Sequence, residues 1–281
     1  MKLLEATPFK SGDLELDEDQ LRNQCLELLE CIYQEENRYK TFHQTGAHNE
    51  TIQVDTFKGS NGWAGRSNTI SANDYNLENV VEALTGCVYE GDKWKIADPT
   101  LHTYYEKQYM GKLVESFVIL KGAPEPWYCV ELNYNLGPLL KTRKFYEYVR
   151  VLPPLEQNEG SKVKLFGKES GFIVSVPADI EEIQQTLRSS DNPNLHSDSL
   201  LTDLQFSKEW VYAQYSSVES ISYGDSQDLI WNMATASNAG GFVPSFITVL
   251  ALPRTIAQDV PHLLRWIHQR RRLPKEVNKS E

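Results

Sequence analysis

The order of two kinds of pattern limits the possible folds of this chain most strongly: a series of β-rich segments is followed by one long helical pattern. The segments rich in β-branched and aromatic residues cover residues 113–120, 127–134, 144–152 and 171–176. Short turns with glycine or proline separate the first three, which favours antiparallel neighbours because parallel strands need long crossovers. Two further strands are predicted at residues 209–223 and 229–237, joined by a hairpin turn.

The helical pattern lies on the C-terminal side of these strands. Apolar residues recur there at helical spacing between Phe246 and Ile267. Pro253 and Pro261 interrupt the pattern, and each is expected to kink or restart the helix because proline lacks a backbone N–H. The expected fold class is therefore α+β, with a curved antiparallel sheet wrapped around a long C-terminal helix and room for an internal apolar cavity between them.

The N-terminal part is expected to add smaller elements to this core. An amphipathic helix is predicted within residues 14–39, with Asp17 as its N-cap. Residues 51–57 alternate as in a strand, residues 58–71 form a turn rich in glycine, serine and asparagine, and residues 76–84 form a short helix.

Charge and composition exclude several classes of protein. The 281 residues include 39 acidic and 28 basic ones, and the net charge of −11 argues against a nucleic-acid-binding face. The N-terminus lacks the apolar segment of a signal peptide, and the four cysteines are scattered, so we expect a cytoplasmic location. This expectation includes peripheral contact with an organelle membrane. The longest apolar run is about half of the ~20 residues that a membrane-spanning helix needs.

Recognisable catalytic and metal-binding motifs are absent from the sequence. There is no nucleophile elbow, zinc-protease helix or phosphate-binding loop, and the histidines and cysteines lack zinc-site spacing. We therefore expect neither an enzyme nor a metalloprotein, and no cofactor.

Several stretches together resemble a known superfamily. Residues 230–244 read as a strand that ends in a small-residue turn and a Gly-Gly-Phe-Val-Pro helix start, and residues 252–267 continue the helix. With the Trp-Ala-Gly-Arg-Ser stretch at 63–67 and the Pro-Leu-Leu and Arg-Lys-Phe stretches within 138–145, this resembles START-like (helix-grip, StARkin) lipid-binding domains, closest to an uncharacterised fungal branch.

The resemblance implies a domain organisation and a ligand. It covers roughly residues 60–270, so we expect a START-like domain at 51–272, preceded by a lead-in and helix at 1–50 that belong to the same domain and followed by a tail at 273–281. Residues 154–170 and 187–205 are polar and are expected to be surface insertions. The implied ligand is a lipid or sterol held in the internal cavity.

Candidate ligand-binding residues are arginines and aromatic or apolar side chains on the expected cavity wall. An arginine in an apolar strand region needs a partner or a ligand, which makes Arg66 and Arg143 candidates for orienting a head group. The remaining candidates would line the wall: Tyr134, Trp210, Tyr212, Trp231, Phe246 and Leu250. The alternative for each is an ordinary salt-bridged arginine or a packed core side chain.

Candidate gate and membrane-contact residues lie in three places. Leu136, Leu139 and Leu140 stand beside cations in a loop, as suits insertion at an anionic membrane surface, although a tight turn would bury them instead. Gly240 and Gly241 would hinge the start of the final helix, or simply cap it rigidly. The basic cluster at its end would attract anionic membranes or only complement the helix dipole: Arg270, Arg271 and Arg272.

Three functions remain open from the sequence. The first is non-enzymatic lipid or sterol binding, with transfer between membranes or sensing. The second is a regulatory protein with a collapsed pocket on the same fold, which would bind protein partners through its acidic surface. The third is a cyclase-type enzyme, which would need a titratable group of shifted pKa deep in the pocket.

Overall fold

The computed structural model describes residues 7–122, 124–135, 141–155, 166–189, 195, 210–224, 227–238, 240 and 245–270, with side chains of the last helix from Ala251 onward. The helices in this part are α1 (Glu18–Ile32), α2 (Leu77–Thr85), α3 (Leu101–Tyr109), α4 (Ile180–Arg188) and α5 (Ser245–Arg270). The strands are β1 (Arg38–Thr45), β2 (Thr51–Lys58), β3 (Trp63–Ile70), β4 (Cys87–Glu90), β5 (Lys93–Ile96), β6 (Leu113–Lys121), β7 (Tyr128–Tyr134), β8 (Arg143–Leu152), β9 (Gly171–Pro177), β10 (Val211–Tyr212), β11 (Gln214–Tyr223) and β12 (Leu229–Asn238).

One large sheet organises the molecule. Within the described residues its order is β1-β2-β3-β12-β11-β9-β8-β7-β6, all antiparallel, while the short β10 pairs with β8 in parallel and β4-β5 form a separate hairpin. Helix α5 packs on β1, β2, β3 and β12 and on α2 and α3. This arrangement confirms the expected α+β fold with a C-terminal helix against an antiparallel sheet.

Both faces of the sheet are covered. Strand β8 shows this most clearly, since all ten of its residues are buried. Its alternate side chains point to opposite faces: Tyr146 and Tyr148 join a core with α1 and α4, while Phe145 and Val149 join a second core with α2 and α5. We call these the outer face and the inner face of the sheet.

The first helix is shorter than the sequence pattern predicted. The Asp17 side chain accepts a hydrogen bond from the Gln20 amide at 2.7 Å, as expected for the N-cap, but α1 ends at Ile32. Residues 38–45 form edge strand β1 instead of the end of a helix. Most side chains of this strand are exposed or only partly buried, so it lacks the apolar alternation by which a strand is recognised.

The predicted turn at 58–71 is largely wrong. Only residues 59–62 turn, and Trp63 to Ile70 form β3, held between β2 and β12. The glycine, serine and asparagine content of this stretch suggested a loop. Pairing on both sides overrides that local preference. Glycine suits position 65 because the Cβ of any other residue would lie only 2.9 Å from the Ile32 side chain, which is too close.

Helix α5 runs through both prolines without restarting. It extends from Ser245 to Arg270 as one helix, with Pro253 and Pro261 inside it. The buried residues Ile256, between the two prolines, and Leu263, after the second, fix the helix to the inner face, so packing outweighs the backbone hydrogen bonds lost at the prolines. No helix in the described part of the chain is both long and apolar enough to cross a bilayer.

Candidate functional site

A cavity of about 540 Å³ lies on the inner face, between α5, α3 and the strands β3, β7, β8, β11 and β12. Its lining is made mainly of apolar and aromatic side chains and includes Met110, Phe145, Met233, Leu252 and Ile256. Some lining residues are exposed and mark a rim, and these lie in the α3–β6 turn and on α5: Gly111, Lys112, Ala251, Gln258 and His262. The buried and half-buried residues of the lining form the floor.

Arg66 stands at the centre of the floor and is only 1% exposed. Its guanidinium carbon lies 3.7 Å from the centre of the Trp231 ring, and Nη2 lies 3.8 Å from Glu219 Oε2. The Trp231 Nε1–H donates a hydrogen bond of 2.7 Å to the same oxygen. Arg66 and Glu219 both pair with Met233 in register, so β3, β12 and β11 place these side chains on one face.

Further carboxylates reach the cavity from other elements. Burial, reinforced by the charges of Glu219 and Asp259, raises the pKa of Glu106 to about 8. Burial raises the pKa of Asp259 to about 7, although the positive charge of Arg66 opposes the shift. Burial also raises the pKa of Glu147 well above its usual range. In the described residues, these side chains and their neighbours form no group of three ligands suited to a metal ion.

Tyrosines cover the part of the wall between the carboxylates. The Tyr134 and Phe145 rings meet edge to face with centroids 5.4 Å apart, and Phe145 meets Tyr215 in the same way at 6.5 Å. Burial raises the pKa of Tyr109, Tyr134 and Tyr215 well above the usual range, so their hydroxyls stay protonated at neutral pH. The site thus combines an apolar wall with neutral donors and acidic groups at its floor.

The structure brings together some of the candidate ligand-binding residues and separates others. Arg66, Tyr134 and Trp231 line the cavity. Arg143 is the first residue of β8 and is not among the described residues that line the cavity. Its guanidinium donates a hydrogen bond of 2.5 Å to the Lys141 carbonyl. The side chains of two further candidates, Phe246 and Leu250 of α5, lie outside the described residues.

Trp210 and Tyr212 lie on the outer face rather than at the cavity. The Lys144 Nζ lies 3.2 Å from the centre of the Trp210 ring, and the Tyr212 ring stacks on Tyr146 with centroids 6.1 Å apart. Both contacts follow from β10, which pairs with the start of β8 and covers side chains of β8 that point away from α5. Their proposed place in the cavity wall is corrected accordingly.

The gate candidates fall mostly outside the described residues: Leu136, Leu139, Leu140, Gly241, Arg271 and Arg272. Gly240 lies in the described part of the chain and has a φ of +64°. A Cβ at this position would lie 2.4 Å from the Tyr212 carbonyl oxygen, so the position requires glycine. The Arg270 guanidinium lies over the Tyr105 ring at 4.7 Å and 3.6 Å from Glu82. Arg270 therefore ties α5 to α2 and α3, and its contact with a membrane stays a prediction.

Sequence reasoning missed the acidic floor. Glu106, Glu147, Glu219 and Asp259 stand in four different elements, and they meet only through the tertiary fold. Glu147 carries the clearest signal in the sequence, because a carboxylate inside a strand of aromatic and β-branched residues is expected to be buried. Nothing local shows that the other three face the same cavity.

Solved structures with a similar fold include two human proteins. The crystal structure of human STARD10 is 11% identical with a TM-score of 0.54, over 92% of this chain and 84% of that chain. Human StAR-related lipid transfer protein 5 is 9% identical with a TM-score of 0.54, over 90% of this chain and 97% of that chain. These likenesses confirm the expected START-like helix-grip fold, whereas the fungal branch stays a prediction.

Comparison at the level of sequence gives a family. None of the curated proteins matches the chain. The model of one family, described as "Protein of unknown function (DUF3074)", matches residues 63–267, which is well over half of the chain and includes β3, the cavity-lining strands and most of α5. The chain belongs to this DUF3074 family.

Proposed function

We propose that this protein binds a lipid or another amphiphile in the inner-face cavity and carries it between membranes or senses it, without chemical change. The observation that supports this most is the cavity of about 540 Å³ with its largely apolar lining. Ligand sites for small molecules usually measure 300–1,000 Å³ and combine apolar walls with a few polar groups. The fold shared with lipid transfer proteins agrees with this function.

The apolar wall of the cavity favours an apolar ligand over water. The space opens to solvent at its rim, so water can enter it, and each Å² of apolar surface that a ligand removes from water gains about 25 cal/mol. An open cavity also supports ligand binding over the collapsed-pocket alternative, in which side chains would fill the interior.

Transfer requires contact with a membrane, and we place this contact at the loop 136–140 and the basic residues 270–272. Asn135, which precedes the loop, donates its backbone N–H to the Lys112 carbonyl at 3.0 Å. Lys112 belongs to the rim, so Asn135 lies beside the rim. Apolar residues at such a position would enter the membrane surface as the cavity opens. We extend the proposal to a cytoplasmic location and to transient binding at an anionic membrane.

The experiment is a comparison of two tryptophan variants on α5. Thr255 lines the cavity, whereas its neighbour Arg254 is exposed and does not. Native mass spectrometry with organic extraction should show a stoichiometric lipid on the wild type and on Arg254→Trp, and its loss from Thr255→Trp, because an indole would fill the space. Equal lipid content in both variants, or no lipid uptake by the wild type from vesicles, would contradict ligand binding in this cavity.

A second candidate function is catalysis in the cavity. The pKa values of Glu106 and Asp259, about 8 and about 7, lie close to neutral pH, as general acid–base catalysis requires. Because the substrate is unknown, the mass of the extracted ligand gives the test. A ligand recovered unchanged after long incubation supports a carrier, and conversion that stops in Glu106→Gln supports an enzyme.

A further inference from the structure

One hydrogen-bond donor of the cavity lining has no acceptor in the described part of the chain. Arg66 lines the cavity and is only 1% exposed, yet its Nε–H forms no hydrogen bond with any residue that the structure describes. Removing a charged donor from water without replacing its hydrogen bond is unfavourable. Because Arg66 belongs to the lining, a ligand in the cavity can supply the missing acceptor.

The other contacts of Arg66 hold its guanidinium in place. The guanidinium carbon lies 3.7 Å from the centre of the Trp231 ring, and Nη1 donates a hydrogen bond of 3.2 Å to Asn68 Oδ1. Glu219 Oε2 lies 3.8 Å from Nη2, which is beyond hydrogen-bond distance. The edge formed by Nε and Nη2 is therefore held in position without a hydrogen bond to the described residues. Such an edge matches the oxygens of a carbonyl or carboxylate group.

The charges at the floor do not oppose an acceptor oxygen. The raised pKa values of Glu106 and Glu147 leave both carboxyl groups protonated at neutral pH, so each is uncharged and offers an O–H donor. Asp259, whose pKa is about 7, is partly protonated at that pH. Glu219 and Arg66 offset each other's charge. The floor is therefore close to neutral and rich in hydrogen-bond donors.

This arrangement distinguishes between kinds of head group. An ammonium head has only donors, so it leaves the Nε–H of Arg66 without an acceptor and is repelled by the guanidinium charge. A carbonyl or carboxylate oxygen has only acceptor sites, so it can bond to Arg66 and to a protonated neighbour at the same time. The chemistry that fits is an acceptor oxygen, which either a neutral ester or an ionised acid provides.

We propose that the cavity selects an amphiphile whose buried end is a carbonyl or carboxylate group, and that the Nε–H of Arg66 binds an oxygen of this group. The inference rests on the proposed function, since it names the ligand class of that cavity. The alkyl chain of the ligand then packs on the apolar part of the lining, which includes Met110, Leu252 and Ile256.

The first test compares three ligands that share a C12 chain and differ in the head: dodecanoate, methyl dodecanoate and dodecylamine. Binding to the full-length protein at pH 7, below micelle-forming concentrations, is followed by tryptophan fluorescence and native mass spectrometry. At least one of the two acceptor ligands should bind about tenfold more tightly than the amine, as expected for one charge-assisted hydrogen bond. Whichever of these two binds more tightly identifies the head as an anion or as a neutral carbonyl.

A pair of arginine variants tests the role of Nε. Arg66→Lys keeps the positive charge but removes the planar Nε–Nη2 edge, so it should weaken the tighter acceptor ligand about tenfold and leave the amine unchanged. Arg150→Lys is the matched control, because Arg150 is also buried, also has an Nε without a hydrogen bond in the described part of the chain, and lies 5.9 Å from the centre of the Trp127 ring. Arg150 lies on the outer face, where Trp127 belongs to the core, so this variant should bind all three ligands as the wild type does.

A measurement on the wild type does not depend on either variant folding. With ¹⁵N-labelled arginine and a ligand labelled with ¹³C at C2, NMR should show a nuclear Overhauser contact between an arginine Nε–H and the C2 protons, since Arg66 is the arginine among the described lining residues. Absence of this contact, an amine that binds as tightly as both acceptors, or an equal loss for all heads in Arg66→Lys would overturn this inference while leaving a ligand-binding cavity. Failure of all three ligands to bind would instead reject the proposed function and this inference with it.

Discussion

The outer and inner faces of β8 both bury ionisable side chains, but the surroundings of these side chains differ. On the outer face, Lys144 Nζ lies 2.7 Å from Glu131 Oε1, and Glu131 also accepts hydrogen bonds from Tyr146 and Asn133. On the inner face, Glu147, three residues after Lys144 in the same strand, has no hydrogen-bond or ion-pair partner among the described residues. A paired buried charge belongs to the architecture of the fold, whereas an unpaired buried carboxyl group beside a cavity indicates a functional site.

The largest effect is expected when the outer-face pair is broken. Lys144→Met leaves the Glu131 carboxylate buried without its cation, which should lower the free energy of unfolding by about 3–5 kcal/mol. Urea denaturation measures the loss. The double variant Lys144→Met/Glu131→Gln should recover part of it because no orphaned charge remains. A single variant within about 1 kcal/mol of the wild type would mean that the two faces do not differ in this way.

A smaller effect is expected from pH, and it belongs to the inner face. The pKa values of Glu106 and Asp259 rise in the folded state to about 8 and about 7 from usual values of 4.5 and 3.8. The folded protein therefore holds protons that the unfolded chain releases, so these groups stabilise it fully below about pH 4 and lose that effect as the pH rises through 7 and 8.

Urea denaturation of the ligand-free protein at pH 6.5 and pH 8 checks this prediction. The wild type should lose about 2 kcal/mol more over this interval than Glu106→Gln/Asp259→Asn, which cannot titrate at these positions. Lys144→Met/Glu131→Gln serves as the outer-face control and should keep the slope of the wild type. Equal slopes in all three proteins would show that the inner-face carboxyls do not hold these protons.

The smallest effect concerns the contact between β10 and Gly240, which lies just after β12. Gly240 and Gly91 both have positive φ, +64° and +59°, but a Cβ clashes with the Tyr212 carbonyl at the first and meets nothing within 4 Å at the second. Gly91→Ala should cost about 1 kcal/mol from backbone strain alone. Gly240→Ala should cost about 1 kcal/mol more, as measured by urea denaturation, because the backbone of β10 must shift. An equal loss of unfolding free energy in the two variants would mean that the backbone of β10 can shift at this point without a measurable cost.

The sequence predicted elements where the signal is local. Strands β6 to β9 carry runs of β-branched and aromatic residues, and α5 keeps its apolar spacing despite two prolines. Strands β1 and β3 were missed because an exposed edge and a small-residue composition hide the strand pattern. The hairpin β4-β5 and the helices α3 and α4 were not predicted either, since each is short.

The site was predictable only in part, for a related reason. Arg66, Tyr134 and Trp231 were chosen by residue type, and they do line the cavity. The acidic floor depends on register between strands that are distant in sequence, such as Glu219 opposite Met233 and Met233 opposite Arg66. Trp210 was misplaced because residue type alone does not say which face of the sheet a side chain covers.

The pairing of β3 with β12 has a consequence for how the protein is made. Ile70 pairs with Leu229 and Trp63 with Ala236, so β3 finds its second neighbour only after most of the chain has been synthesised. Until then the hairpin strands β1 to β3 carry an open edge on the ribosome, and such non-local pairing slows folding and exposes the nascent chain to aggregation. Strand β12 and α5, which together close the cavity, are thus also the elements that end this vulnerable interval of biosynthesis.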